Sequence, residues 1–371
     1  MKIAKLKQSA KGVCDPRRIY GNVRHVLSDI IVIGLISMLC GGKDFSDMEV
    51  LGKAKEKWLR GFLELVNGIP DSDTFRRVFE KINPDELSKC LTDWIMSERE
   101  IIAAKSISLD GKTMRGSGDD SHSAYHVVSA WASEHGITLG QVSVDEKSNE
   151  ITAIPQLLDI IDVKGAVVTI DAMGCQKKIA ELIISHEADY LFALKANHKN
   201  LYKEAKGLFD SIDAGNIDIC LDIYEHESHN HGRIEKRIVD VISAELVKGK
   251  NDWQNLQSIV RVRYTSICTK SGRETSQTRY FLTSLLPSAR RLSAVIKNHW
   301  SIENNLHWVL DVIFEEDSSK AKKDNSPLNL NVLRKVALSI LLPIKHGRMS
   351  LKKMMFRAAL EQHFLELVLF G

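Results

Sequence analysis

The feature that most constrains the fold of this 371-residue chain is a change, at residue 105, in the spacing of its apolar residues. Before it the period is helical. Val26, Leu27, Ile30, Ile31, Ile33 and Gly34 open a buried helix, Gly41-Gly42 breaks the chain, and Trp58, Phe62 and Leu65 share a face of a later helix. After it, Ser106 to Leu109, Tyr125 to Trp131 and Ile137 to Val144 read as three successive strands, with turns at Gly116-Ser117-Gly118 and His135-Gly136. Helix and strand then alternate: Ile151 to Ile161 helix, Ala166 to Ile170 buried strand, Gln176 to His186 helix, Tyr190 to Leu194 strand. Such a succession closes into a mixed sheet covered by helices.

Three strands followed by alternating helix and strand is the order expected of a ribonuclease-H-like core, in the α/β (α+β) class. From about Asn200 to Leu286 the segments Ile219 to Tyr224, Ile234 to Val241, Ile259 to Ser266 and Thr278 to Thr283 alternate like antiparallel strands, with His226 to Gly232 as a polar turn. They predict a β-rich insertion. From Ser288 the helical period returns, and Leu292, Val295, Ile296, His299, Ile302, Leu306, Leu310 and Ile313 line one side of a long helix with Glu303 beside the stripe. The expected organisation is a helical domain over 1–104, a core over 105–199 and 287–345 interrupted by the insertion over 200–286, and a helical tail over 346–371.

Chemistry concentrates where these elements end. Asp110 closes the first strand, Asp171 closes the fourth, and Glu303 sits in the helical stripe. Hard divalent cations take oxygen ligands, and a site that leaves coordination positions open for phosphate oxygens needs only two or three protein carboxylates. The three acids thus point to phosphodiester chemistry. Gly111-Lys112-Thr113-Met114-Arg115-Gly116 follows Asp110, combining a close-approach glycine with two cations suited to phosphate. Ala172-Met173-Gly174-Cys175-Gln176 after Asp171 reads as a tight turn into a helix.

Charge resolved along the chain supports a polyanionic partner. The formal net charge is only +3, but residues 290–357 hold 13 Lys and Arg against 6 Asp and Glu. In the helical region Asp71-Ser72-Asp73-Thr74 supplies N-cap side chains to a helix whose Phe75, Val78, Phe79 and Ile82 face inward, leaving Arg76 and Arg77 outward in the manner of a DNA-reading helix-turn-helix. An ordinary bundle helix fits the same segment. The six cysteines, at 14, 40, 90, 175, 220 and 268, form no Cys-x-x-Cys pair and read as reduced thiols of a cytoplasmic protein. The apolar run from Ile30 to Cys40 is too short to cross a bilayer, so no membrane partner is expected.

Four runs carry a family resemblance: Leu-Asp-Gly-Lys-Thr-Met-Arg-Gly from Leu109, Ile-Asp-Ala-Met-Gly-Cys-Gln from Ile170, His-Gly-Arg-Ile-Glu from His231, and His-Trp-Ser-Ile-Glu-Asn-Asn-Leu-His-Trp-Val-Leu-Asp-Val from His299. Together they resemble the H-repeat-associated transposases, a bacterial insertion-sequence family of the DDE type. Asp15-Pro16-Arg17 and Gly68 through Phe79 resemble the helical domain that precedes its catalytic domain, so the likeness covers nearly the whole chain. It implies that Asp110, Asp171 and Glu303 are the catalytic triad and the ligands of two Mg²⁺ (or Mn²⁺) ions. It also implies cleavage at insertion-sequence ends, transfer of the freed 3′-hydroxyl into target DNA, and a homodimer on double-stranded DNA at the nucleoid. Lys112, Arg115, Lys195, Arg233, Lys297 and Lys320 are the expected backbone contacts, with Glu235 orienting Arg233 and the helices around Arg76 and Arg77 reading part of the end.

The chain departs from the family pattern at Lys297, Lys320 and Lys322, where arginines are usual, and at His198, where glutamine is more usual. Lysine keeps the charge and loses the two-pronged phosphate contact. Two alternatives therefore stand beside strand transfer: a catalytically decayed DNA-binding protein, and a metal-dependent nuclease without joining activity. His299, Glu303 and His307 stand four apart but lack the His-Glu-x-x-His spacing of a zinc protease, and Trp300 and Trp308 suit either a core or a stacked base.

Overall fold

The computed structural model describes residues 2–17, 23–99, 105–119, 122–144, 150–219, 221–230, 232–344 and 349–370. They divide into two compact units. One comprises Met1–Ile102, Gly111–Asn149 and Ile302–Gly371, and the other Ala103–Asp110 and Glu150–Ser301.

The first unit is helical around a β-hairpin. Helix Leu27–Leu39 is buried along its whole length, as expected of a segment that is apolar all round. It packs on helix Ser326–Leu341, which also meets helix Pro84–Glu98 and the hairpin. Each fully buried Leu or Ile in this cluster contributes about 1.5–3 kcal/mol. Ser326–Ile344 is long and apolar enough to span a bilayer, yet 83% of it is buried inside the unit. Its polar residues find partners there, with Asn329 Nδ2 donating to the carbonyls of Phe79 and Ile82 at 2.7 and 2.9 Å. Helix Ser72–Phe79 starts where the capping residues placed it, with Asp71 accepting from the Thr74 amide at 2.6 Å. The hairpin consists of β2 (His126–Ala132) and β3 (Ile137–Val144), paired antiparallel.

The second unit is built on a mixed sheet. Strand β1 (Ser106–Thr113) enters it with its first residues and pairs in parallel with β4 (Val167–Ile170), which pairs in parallel with β5 (Asp189–Leu194). Four antiparallel strands continue the sheet from β5: β9 (Glu274–Thr283), β8 (Ser258–Cys268), β7 (Arg233–Ser243) and, at the edge, β6 (Asp222–Asn230). The fold class is therefore the mixed α/β arrangement expected, with the parallel strands β1, β4 and β5 at its centre. Helices Glu150–Ile160 and Lys177–Ser185 make the crossovers.

Four expectations need correction. The helix that carries Trp58 spans only Glu56–Leu59, so Phe62 and Leu65 lie beyond its end. His226 and His229 do not lie in a turn: they belong to β6, which pairs with β7 from Asp222 to Asn230 and so satisfies its backbone in a ladder. Polar and charged side chains on an outermost strand also discourage further pairing. His231 lies outside the described residues. The β-rich segment begins with a helix, Lys199–Asp213, whose buried Leu201, Ala205 and Phe209 recur every four residues. The stripe through Glu303 is not one regular helix either. Helix Ala289–His299 ends before it, Ile302–His307 is π-helical, and Trp308–Val312 returns to the α form.

Candidate active site

Asp110 and Asp171 stand side by side in the second unit. The register Ser108↔Thr169, Leu109↔Ile170 makes them the next residues on two adjacent parallel strands, about 4.8 Å apart across the sheet. Because side chains alternate along a strand, Asp110 shares the face of Ser108, and Asp171 follows Thr169 in the same sense. Both acids are partly exposed. The face they share is the one on which helix Ala289–His299 ends.

That helix end is fastened to the two strands by a chain of hydroxyls. Thr169 Oγ1 donates to Ser108 Oγ at 3.1 Å, and Ser108 Oγ donates to the Asn298 carbonyl at 3.5 Å. With the Thr169 proton so placed, His299 Nδ1, 3.0 Å away, is the donor to Thr169 Oγ1. Burial pushes the His299 imidazole down to about 4, so it is neutral at physiological pH.

The turn after Asp171 is held from two sides. Asp171 Oδ1 accepts from the amides of Met173 at 2.9 Å and Gly174 at 3.4 Å, and among the described residues no donor reaches Oδ2. Gly174 is required by space: a Cβ there would stand 2.3 Å from Ile170 Cγ2. From the other side Asn197 Nδ2 donates to the Ala172 carbonyl at 2.5 Å, and His198 Nε2 lies 2.6 Å from the Cys175 carbonyl. His198, the departure from the family pattern, thus clasps the loop that carries the acid. Beside it lies a cavity of about 300 Å³ lined by Asp171, Lys195, Tyr202, Arg279, His299 and Trp300. Arg279 stacks on the Trp300 ring at 3.9 Å.

Glu303 belongs to the other unit. It is exposed in the π-helical stretch, a geometry that recurs at functional positions. His307 Nδ1, 3.4 Å away, leads the interactions that hold its carboxyl below the usual glutamate value. No signal in the sequence announced the π turn.

The expected cations divide into two groups. Arg115, Lys195, Arg233, Lys297 and Lys320 are exposed. Lys112 is not available in that way: its ammonium lies 2.7 Å from Asp311, 3.1 Å from Glu316 and 3.4 Å from Asp317. Burial works against its charge, but these carboxylates outweigh burial and hold it above the usual lysine value. Arg76 is engaged by Asp73 and Glu80, whereas the Arg77 side chain is 70% exposed. Trp308 faces solvent.

As oxygen donors, Asp110, Asp171 and Glu303 suit a hard divalent cation. The Asp171 turn fits this use, since its amides take one carboxylate oxygen and leave the other for a ligand.

Comparison with known proteins gives two family matches: residues 8–95 to a region described as DDE_Tnp_1-associated, and residues 103–340 to the Transposase DDE domain. The H repeat-associated candidate transposase YhhI and the protein YbfL, both of Escherichia coli (strain K12), are each 36% identical over 377 aligned positions, covering 100% of this chain and 99% of theirs. The candidate transposase YncI of Escherichia coli O157:H7 is 35% identical, covering 94% of this chain and 90% of its own. A solved piggyBac transposase synaptic complex with hairpin DNA aligns at TM-score 0.41 and 10% identity, covering 100% of this chain and 79% of that one.

Proposed function

The chain belongs to the DDE transposases, among their H-repeat-associated members, and we propose that it binds insertion-sequence ends, cuts DNA there and joins the freed end to target DNA. The observation that carries this reading is the pair Asp110 and Asp171 at the ends of adjacent parallel strands, on the face fixed by the His299 chain.

In this reading Asp110, Asp171 and Glu303 hold two Mg²⁺ or Mn²⁺ ions. When bound, such ions supply Lewis-acid activation of water and of the phosphate oxygens. The protein's own contribution is placement. The β1–β4 register sets the two aspartates next to one another, and the Met173 and Gly174 amides orient the Asp171 carboxylate. Neutral His299 adds no cation to a site that must receive metal. Lys195 and Arg279, in the cavity beside Asp171, meet the DNA backbone, and Arg115, Arg233, Lys297 and Lys320 extend that contact. Lys112 has an internal role instead. Arg77 contributes to end recognition from the helical region, with Arg76 held beside it by Asp73 and Glu80. The working form is a homodimer on double-stranded DNA, at the nucleoid.

The test is Asp110→Asn on DNA carrying the element ends. Metal-dependent cleavage is lost while DNA binding is retained, and pre-cut ends are no longer joined to target. Cleavage at the wild-type rate by the variant would reject the assignment, and fragments without joined products from the wild-type chain would reduce the activity to that of a nuclease.

A further inference from the structure

The two faces of the β7–β8–β9 sheet treat their arginines in opposite ways. On one face, helix Lys199–Asp213 covers the strands and every arginine is neutralised. Arg261 meets Asp240 at 2.7 Å and Asp213 at 2.6 Å, and Arg263 meets Asp240 at 3.0 Å. Arg261 also lies 4.6 Å over the Phe209 ring of that helix.

The register assigns the other face. Arg237↔Tyr264 and Tyr264↔Gln277 are direct partners, so these three side chains share a face, together with Arg233 and Glu235 on β7 and Arg279 on β9. Val239, Val241, Val260, Val262 and Phe281 continue the same face and are buried with Val295 and Ile296 of helix Ala289–His299. The helix therefore covers only half of it. Trp300 closes the covered half, Arg279 stacks on that indole, and beyond them, among the described residues, no helix packs on the strands, where Arg233 and Gln277 are exposed and Arg237 and Tyr264 half-buried.

In the uncovered half the charge is left unmatched. Among the described residues no carboxylate lies within ion-pair distance of Arg233, Arg237 or Arg279. Arg279 donates to Gln277 Oε1 at 2.8 Å. The one acid on this face, Glu235, accepts from the Tyr264 hydroxyl at 2.7 Å rather than from an arginine. Burial, and after it the positive charge of Arg237, lowers the proton affinity of Arg279, in keeping with two like charges near one another at a half-buried surface. Like charges gathered without counter-ions are costly unless a polyanion is to meet them. Arg279 also lines the cavity that contains Asp171, so this surface leads directly to that acid.

We infer that the uncovered half of this face, Arg233, Arg237, Tyr264, Gln277 and Arg279, is the track along which the phosphate backbone of duplex DNA approaches the cavity at Asp171. The inference rests on the proposed DNA-cutting function and adds the path of the substrate to it. Arg237 and Arg279 take phosphates, Gln277 holds the Arg279 guanidinium on Trp300, and Tyr264 keeps Glu235 turned away from the arginines.

The experiment measures binding of the full chain to a random-sequence duplex across a salt series, beside its Asp110-dependent cleavage. Each phosphate contact contributes about 0.9 to the slope of log Kobs against log salt. Arg237→Gln with Arg279→Gln should reduce the slope by about 2 and weaken low-salt binding at least tenfold. Arg237→Lys with Arg279→Lys should keep most of the slope, and Lys203→Gln with Lys206→Gln, exposed on the helix that covers the opposite face, should leave it nearly unchanged. Unfolding curves of the glutamine pair matching wild type show that a loss of slope is not a loss of fold; should that pair unfold, Arg233→Gln alone, expected to lower the slope by about 1, takes its place. A wild-type slope in a folded glutamine pair, or an equal loss in the Lys203 and Lys206 pair, overturns the track, while Asp110-dependent cleavage still stands. A wild-type chain that binds no DNA and cuts none overturns both.

Discussion

His299 and Thr169 are joined by a hydrogen bond of 3.0 Å between Nδ1 and Oγ1. Through it the last turn of helix Ala289–His299 is fixed to the strand that ends at Asp171, and Ser108 extends the link to the strand that ends at Asp110. Thr169→Val keeps the shape and removes both bonds of the hydroxyl. A buried imidazole donor is then left unsatisfied, at a cost of about 1–3 kcal/mol. The expected outcome is a lower denaturation midpoint and slower cleavage with unchanged DNA affinity. Cleavage at full rate in a measurably destabilised Thr169→Val protein would separate the hydroxyl chain from catalysis.

Lys112 stands two residues after Asp110 on the same strand, and its ammonium is enclosed by Asp311, Glu316 and Asp317. Glu316 is wholly buried. Burial alone would raise its pKa, but Arg334 and Lys112 reverse the effect and hold it below the usual value. Removing one member of a buried ion network leaves the others uncompensated, typically at about 3–5 kcal/mol. Lys112→Met should therefore destabilise the protein by that order in chemical denaturation. Lys112→Arg should recover part of the loss. A Lys112→Met variant as stable as wild type would show that the network is not needed to hold the fold.

These two sites show what the sequence could and could not disclose. Ser106 to Leu109 and Ala166 to Ile170 were legible as strands because both are short and free of charge, with Ile and Leu alternating with Ser in the first and a nearly continuous apolar run in the second, and each is followed by an acid of the proposed site. The Asp71 cap was legible because capping is local chemistry. The pairing of Lys112 was hidden for the opposite reason. Its partners lie about 200 residues away in sequence, and a Gly-Lys-Thr-Met-Arg run looks the same whether its lysine faces phosphate or a buried glutamate. Helix Lys199–Asp213 was missed although Leu201, Ala205 and Phe209 carry the helical period, because the polar residues between them resemble a loop. The polar stretch at His226 hid a strand because the outermost strand of a sheet needs no apolar alternation. The π turn at Glu303 inserts an extra residue into a helix without changing which residue types suit it.

Lys335 supplies the pH dependence. It is buried in the helix Ser326–Leu341, where its ammonium donates to Ser129 Oγ at 2.8 Å and to Gln141 Oε1 at 2.7 Å. Neither partner is charged, and burial lowers its pKa to about 7, with Glu316 only partly opposing the fall. In the unfolded chain a lysine titrates near 10.4. Between pH 7 and about 10 the unfolded state thus binds more protons than the folded one, so stability rises with pH across that window and falls as pH drops toward 7. Below pH 7 both states are protonated and this contribution is flat. Lys335→Met removes the titrating group and substitutes an apolar side chain of similar length, leaving Ser129 and Gln141 to pair with each other or with water. Denaturant melts at a series of pH values should show the wild-type unfolding free energy climbing by a few kcal/mol from pH 7 to pH 10 relative to the variant. Parallel pH profiles for the two proteins would mean that Lys335 keeps its proton in the interior and that its hydroxyl and amide partners hold a full charge.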